Sequence, residues 1–186
     1  MRIDFIEVRG TWRDVADAAR TTVGMEKGVK EPPASWKKKM LLAEHSPIRQ
    51  LSIRWKWVDL KSWISVHFVR HKIGIEHFVR SQRTDRTGKN RDEIVQSALV
   101  DHECVASAQA IITISRKRLC RQASIETTQA WQAVLDALKE KDPDLVSICV
   151  PECVYRGFCP ELKCCGYCNT DKYQESLKNY REIKEN

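Results

Sequence analysis

The chain has 186 residues, a net charge of +7 and a pI of about 9.0. No apolar run reaches the roughly 18 residues of a membrane span, and Met1-Arg2-Ile3-Asp4 opens directly on charge, so the expectation is a soluble, cytoplasmic protein without a leader. The length allows one domain with a real core and a small appendage. The basic balance favours anionic partners, and its even spread along the chain favours small anions over a nucleic-acid track.

Ile3, Phe5, Ile6 and Val8 form a partly alternating apolar pattern, read as an opening strand that Gly10 ends. Thr11 then caps a helix, with Asp14 three residues on. Val15, Ala18, Ala19 and Thr22 keep helical spacing up to Gly24. A loop containing Pro32-Pro33 follows, and Ser35 is placed to cap a helix from Trp36 to about Glu44. The lysines at 37, 38 and 39 read as a solvated face.

Leu51, Ile53, Trp55 and Trp57 alternate with Ser52, Arg54 and Lys56, which is the pattern of a half-buried strand. Strict alternation places the tryptophans in a core rather than against bases. A helix is expected from about Lys61, with His67, Arg70 and His71 at i, i+3 and i+4 on one face. Such a face is either solvated basic surface or a seat for an anion. Ser81 and Arg83, two residues apart, put a hydroxyl beside a guanidinium fork that suits phosphate.

The polar, Gly88-containing stretch 84–90 reads as a loop, and Arg91 to about Leu99 as a short helix. Val105 to Leu138 lacks Pro and Gly and carries apolar residues at helical spacing, so one long helix or two in sequence are expected. Pro143 breaks it, and Leu145 to Val150 is a short apolar stretch. Tyr173 to Glu185 reads as a terminal charged helix.

Eight cysteines are many for this length, and six lie between Cys149 and Cys168. In a reducing compartment this clustering points to metal or buried thiols rather than disulfides. Cys165-Gly166-Tyr167-Cys168 has the spacing of a metal knuckle, which Cys153 and Cys159 would have to complete; Cys164 adjoins it. Zinc and free thiols are both open readings of this tail.

Arg70-His71-Lys72 followed by Ser81-x-Arg83 resembles the Arg-His-Arg…Ser-x-Arg signature of the flavin-dependent thymidylate synthases, the ThyX family. The third residue is Lys instead of Arg, and the spacing to Ser81 is one residue longer. The resemblance covers most of residues 1–150 in order. It includes the Ala-Ala-Arg end of the first helix, the Ser46-Pro47 before the tryptophan strand, and Arg118…Ala123-Ser124-Ile125-Glu126 in place of Arg…Ala-Gln-x-Glu. It implies an α+β fold, with a twisted, mainly antiparallel sheet packed with helices and a long helix in the second half. Residues 1–150 would be the catalytic domain and 151–186 a Cys-rich tail outside the family pattern.

The implied activity is reductive methylation of dUMP to dTMP, with FAD as cofactor and methylenetetrahydrofolate and NADPH as co-substrates. The implied assembly is a homotetramer with active sites between chains, in a bacterial or phage-infected cytoplasm. By the same resemblance Ser46, Arg70, His71, Lys72, Ser107, Gln109 and Thr113 would meet the flavin. His67, Arg70, Ser81, Arg83 and Arg118 would meet the nucleotide, with Arg118 stabilising charge on the pyrimidine ring. Taken without the resemblance, Arg118 in Arg116-Lys117-Arg118 reads as a surface cation. The family's further phosphate-binding arginine has no clear equivalent; Arg86 and Arg91 are the candidates. These departures leave two other readings open: one-carbon transfer to another pyrimidine nucleotide, or a non-enzymatic basic protein that binds nucleotides or nucleic acid and carries a zinc tail.

Overall fold

The computed structural model describes residues 1–183. Four strands, β1 (Arg2–Arg9), β2 (Ser52–Lys61), β3 (Ile75–Val79) and β4 (Leu99–Ser107), form one sheet in the order β1-β2-β4-β3. Every neighbouring pair is antiparallel. Helices α1 (Trp12–Thr21), α2 (Ala34–Leu42), α3 (Ser62–Val69), α4 (Thr84–Thr87), α5 (Ala108–Arg118), α6 (Ile125–Lys139), α7 (Pro143–Val146), α8 (Glu152–Arg156) and α9 (Asp171–Arg181) complete an α+β fold. No described helix is long and apolar enough to cross a membrane.

β2 is the centre of the core. Its alternation sends Ile53, Trp55 and Trp57 to one face, each fully buried. Trp57 stacks on Phe68 of α3 with ring centroids 4.6 Å apart, and Trp55 meets Trp131 of α6 edge-on at 5.8 Å. Two of the three indole N–H groups are satisfied: Trp57 donates to the Ala130 carbonyl and Trp131 to Ser115 Oγ, both at 3.0 Å. The Trp55 indole nitrogen has no partner. The opposite face of the sheet is charged. Arg54 bonds Glu103 across the sheet at 2.7 Å, and Lys56 lies 3.6 Å from Asp4.

Local chemistry sets the boundaries. Thr11 and Asp14 cap α1 reciprocally, as their spacing implied. Gly10 sits at φ +81°, where an added Cβ would lie 2.3 Å from the Gln50 carbonyl, so the turn from β1 into α1 needs glycine. α2 begins one residue before the expected Ser35 cap, with Pro33 at the N-cap and no side-chain cap bond, and it ends at Leu42. Glu44 beyond it adopts φ +49°.

Four expectations are corrected. The helix read through Arg70-His71 stops at Val69, because Gly74 turns the chain at φ +70° to start β3. Residues 84–90 contain a helical turn, α4, that Gly88 closes in the left-handed region. Arg91 to Leu99 holds a three-residue 3-10 turn, Arg91–Glu93, before β4 begins. Val105 to Ser107 belong to β4, and the rest of the expected long helical stretch is two helices, α5 and α6, joined at 119–124. The terminal helix ends at Arg181, and Glu185 lies outside the described residues. The segment after 150 also buries Val154, Tyr173 and Tyr180 in the same core cluster, more apolar surface than its sequence implied.

Candidate functional site

Arg118 ends α5 with its guanidinium half-buried against the C-terminal end of α3. Its Nε donates to His71 Nε2 at 2.9 Å, and its Nη2 donates to the His67 carbonyl. A neutral imidazole is required to accept from an arginine. Burial first, and then the charge of Arg118, hold the His71 ring down to about 4, so it stays neutral at physiological pH. His67 is lowered for the same two reasons in the same order, with Arg70 adding to them. Its Nδ1 shares a 2.9 Å hydrogen bond with Thr127 of α6. Three remote segments therefore meet here: the end of α3, the end of α5 and the start of α6.

The backbone of Arg70 to Gly74 runs alongside α5. At one end His71 meets Arg118; at the other, the Gly74 carbonyl accepts from the Ser107 N–H at 2.9 Å. A Cβ on Gly74 would press to 2.9 Å from Ser107 Oγ, which is why this close approach needs glycine. Ser107 caps α5, accepting from the Ala110 N–H at 3.3 Å. Eleven residues is close to three helical turns, so Ser107 and Arg118 share one face about 16 Å apart. Arg70 and Lys72 are exposed on the same loop. Among the described residues Arg70, Lys72 and Arg118 make no ion pair; the charge of Arg70 acts on Arg118, and Lys72 lies two residues on from Arg70 in the exposed loop.

Gln109 and Thr113 fall elsewhere. At about 100° per residue they lie on the opposite side of α5 from Ser107 and Arg118. Gln109 Nε2 donates to Glu44, which also pairs with Arg116. Ser46 is exposed at the start of the 3-10 turn Ser46–Gln50, which packs against α5 close to Glu44. Ser46, Gln109 and Thr113 thus form a second group, separate from the Arg118 cluster.

Ser81 and Arg83 form a third. They line an open groove of about 1060 Å³ together with Arg80, Arg86 and Lys89. Arg83 is forked onto Asp85 through two bonds of 2.9 Å, and its N–H donates to Ser81 Oγ. Gln82 touches Ser62 at 3.4 Å, so the groove abuts the start of α3 while Arg118 meets its far end. Of the two candidates for a further arginine, Arg86 lines this groove and Arg91 does not.

Sequence reasoning did not identify the polar chain behind the site. Ser65 Oγ bonds His102 Nδ1 at 3.0 Å, His102 Nε2 bonds His77 Nδ1 at 3.0 Å, and His77 Nε2 donates to the His71 carbonyl at 2.8 Å. Cys104 Sγ approaches both rings. Burial pushes the His102 ring down to about 4 and the Cys104 thiol up. The chain fixes the backbone of His71 from inside the sheet. The available signal was three polar residues, His77, His102 and Cys104, on strand faces they share with Ile75, Val79, Val100 and Ala106.

The four-stranded antiparallel sheet with helices packed on it is a ThyX-like α+β fold. The flavin-dependent thymidylate synthase ThyX of Helicobacter pylori, complexed with FAD and dUMP, shares it with a TM-score of 0.64 at 12% identity, over 81% of this chain and 100% of that one. A second structure of Helicobacter pylori ThyX with FAD and dUMP gives 0.63 at 13% identity, over 78% and 99%. The UMP/dUMP methylase PolB of Streptomyces cacaoi, bound with 5-Br dUMP, gives 0.63 at 11% identity, over 84% and 94%. At this identity the likeness is one of fold. No family model and no curated protein matches the sequence.

Proposed function

We propose that the protein is a flavin-dependent methyltransferase that converts dUMP to dTMP with FAD, methylenetetrahydrofolate and NADPH. The observation that carries this reading is Arg118, half-buried and held by His71 and the His67 carbonyl beside a loop with Arg70 and Lys72, none of the three in an ion pair among the described residues. Cations on one side without a carboxylate suit an anion, and a flavin diphosphate and a nucleotide are such anions. In this reading Arg70, His71, Lys72 and Ser107 hold the cofactor. Bound FAD supplies the redox chemistry of the methylation. Arg118, fixed by His71 and His67, points its remaining N–H groups at the pyrimidine and stabilises negative charge on the activated ring. Ser81 and Arg83 take the phosphate, with Arg86 as the further arginine.

Ser46, Gln109 and Thr113 lie across α5 from Arg118, so one chain does not bring every assigned contact together. A homotetramer with sites between chains supplies the missing side from a neighbour. The edge strand β3, with Phe78 and Val79 exposed, offers a surface for such packing. A second reading, one-carbon transfer to UMP or another pyrimidine nucleotide, is favoured by the comparable likeness to PolB, with His67 as the proposed base contact.

The test is the purified full chain. A yellow protein whose flavin absorbance bleaches with NADPH, and which makes dTMP from dUMP and methylenetetrahydrofolate, supports the first reading. Rescue of a thymidine-requiring bacterium gives the same answer in cells. Product from UMP alone supports the second. A colourless protein that binds DNA with steep salt dependence refutes both.

A further inference from the structure

We infer that the tail holds one zinc ion on four thiolates, Cys153, Cys159, Cys164 and Cys168. The sulfurs of Cys159, Cys164 and Cys168 all lie within 4.8 Å of one another. A tetrahedral zinc with bonds of about 2.3 Å places its sulfurs about 3.8 Å apart. The three thiols thus stand nearly where one ion would draw them.

The fourth ligand comes from α8. Cys153 is buried on α8 beside Cys168; its sulfur lies outside the 4.8 Å set of three and would close the site by moving toward it. At Cys164 the backbone is already arranged for a thiolate. Gly166, at φ +80°, turns its N–H onto Cys164 Sγ at 3.4 Å.

The ligand set therefore differs from the spacing-based one. Cys164 takes the place of Cys165: both are exposed, but only Cys164 lies in the cluster with Cys159 and Cys168. An iron–sulfur cluster would put each thiolate on a separate iron and spread the sulfurs further. Four thiolates around one centre favour zinc among common ions.

The surrounding chain needs such a tie. Residues 158–166 contain no helix or strand, and Phe158 and Leu162 are exposed. This loop is nonetheless seated on the turn between α5 and α6. Gln122 Nε2 donates to the Lys163 carbonyl at 2.6 Å, and the Arg121 guanidinium lies 4.3 Å from the Tyr167 ring centre. The metal would hold the loop against the turn that follows Arg118. The site does not depend on the activity proposed above.

The experiment is metal analysis of the full chain purified without chelator, beside thiol titration with Ellman's reagent. The expected result is about one zinc per chain, with the four named thiols slow to react until a chelator is added. Cys164→Ser and Cys168→Ser lose most of the zinc, while Cys165→Ser keeps it. Should the first two variants fail to fold, cobalt(II) exchanged into the wild-type protein gives the visible bands of a tetrahedral thiolate site. Zinc far below one per chain, iron in its place, no such cobalt bands, or metal loss in Cys165→Ser equal to that in Cys164→Ser overturns the assignment.

Discussion

Replacing Arg118 with Gln tests the centre of the site. The substitution removes the charge and both directed bonds, one to His71 Nε2 at 2.9 Å and one to the His67 carbonyl. Two unit charges about 4 Å apart interact by about 4 kcal/mol at an effective dielectric of 20. Arg118 and His71 are both partly exposed, and solvent screening cuts this to about a third, equivalent to roughly one pH unit on the imidazole. The His71 ring titrates near 4, held there first by burial and then by Arg118. In Arg118→Gln the charge disappears and the burial stays, so His71 should titrate about one pH unit higher, still below a free imidazole. Histidine NMR across a pH series reads this directly and needs no activity. Turnover should fall by about 100- to 1000-fold, the cost of removing a donor aimed at developing charge, while melting moves little. An unmoved His71 titration would refute the electrostatic coupling, and turnover within tenfold of wild type would refute the catalytic role.

Arg83→Ala and Arg86→Ala should each raise the KM for dUMP by about tenfold with kcat little changed, because phosphate contacts position without meeting the reacting ring; an unchanged KM removes the groove from the site. Stability should fall with acid. An unfolded histidine takes up a proton near pH 6.5, whereas folded His102 does so only near 4, so the unfolded state binds more protons between those values. The gap is worth about 3 kcal/mol, present above pH 6.5 and lost as the pH drops to 4. The ring faces Ser65, His77 and Cys104, and denaturation of His102→Asn at the two pH values should show a shallower slope. Trp55→Phe should cost about 1 kcal/mol less than Trp57→Phe, since only Trp57 gives up a satisfied indole bond; equal denaturation midpoints would contradict this.

β1 and β2 were legible because large apolar residues alternate in them. β4 was not, because its buried positions include His102, Cys104 and Ala106, residues without strong strand character, and it runs straight into a helix. The Arg70-His71-Lys72 motif was legible as residues but not as structure. What orders it are bonds to Arg118 and through His77 to the interior of the sheet, contacts 47 and 6 residues away in sequence. In the tail the two-residue spacing favoured Cys165, whereas in the fold it is Cys164 whose sulfur stands close to those of Cys159 and Cys168, beside the left-handed turn at Gly166.

The geometry also sets up a test of assembly. Arg83 lies at the groove beside the start of α3, and Arg118 at the other end of that helix. If one nucleotide spans both within a single chain, mixing Arg83→Ala and Arg118→Gln chains yields no intact site, because every chain carries a defect. If the phosphate and ring contacts come from neighbouring chains, random reassembly pairs an intact Arg83 with an intact Arg118 in about a quarter of the sites. Refolded together and assayed at dUMP well below KM, the two variants should then restore about a quarter of the wild-type rate, while Arg83→Ala refolded alone keeps only about a tenth and Arg118→Gln alone about a hundredth or less. Light scattering on the same samples reports whether tetramers formed. Tetramers without recovered turnover would place both arginines in one chain's site, and a monomer with wild-type activity would remove the neighbouring chain from the chemistry altogether.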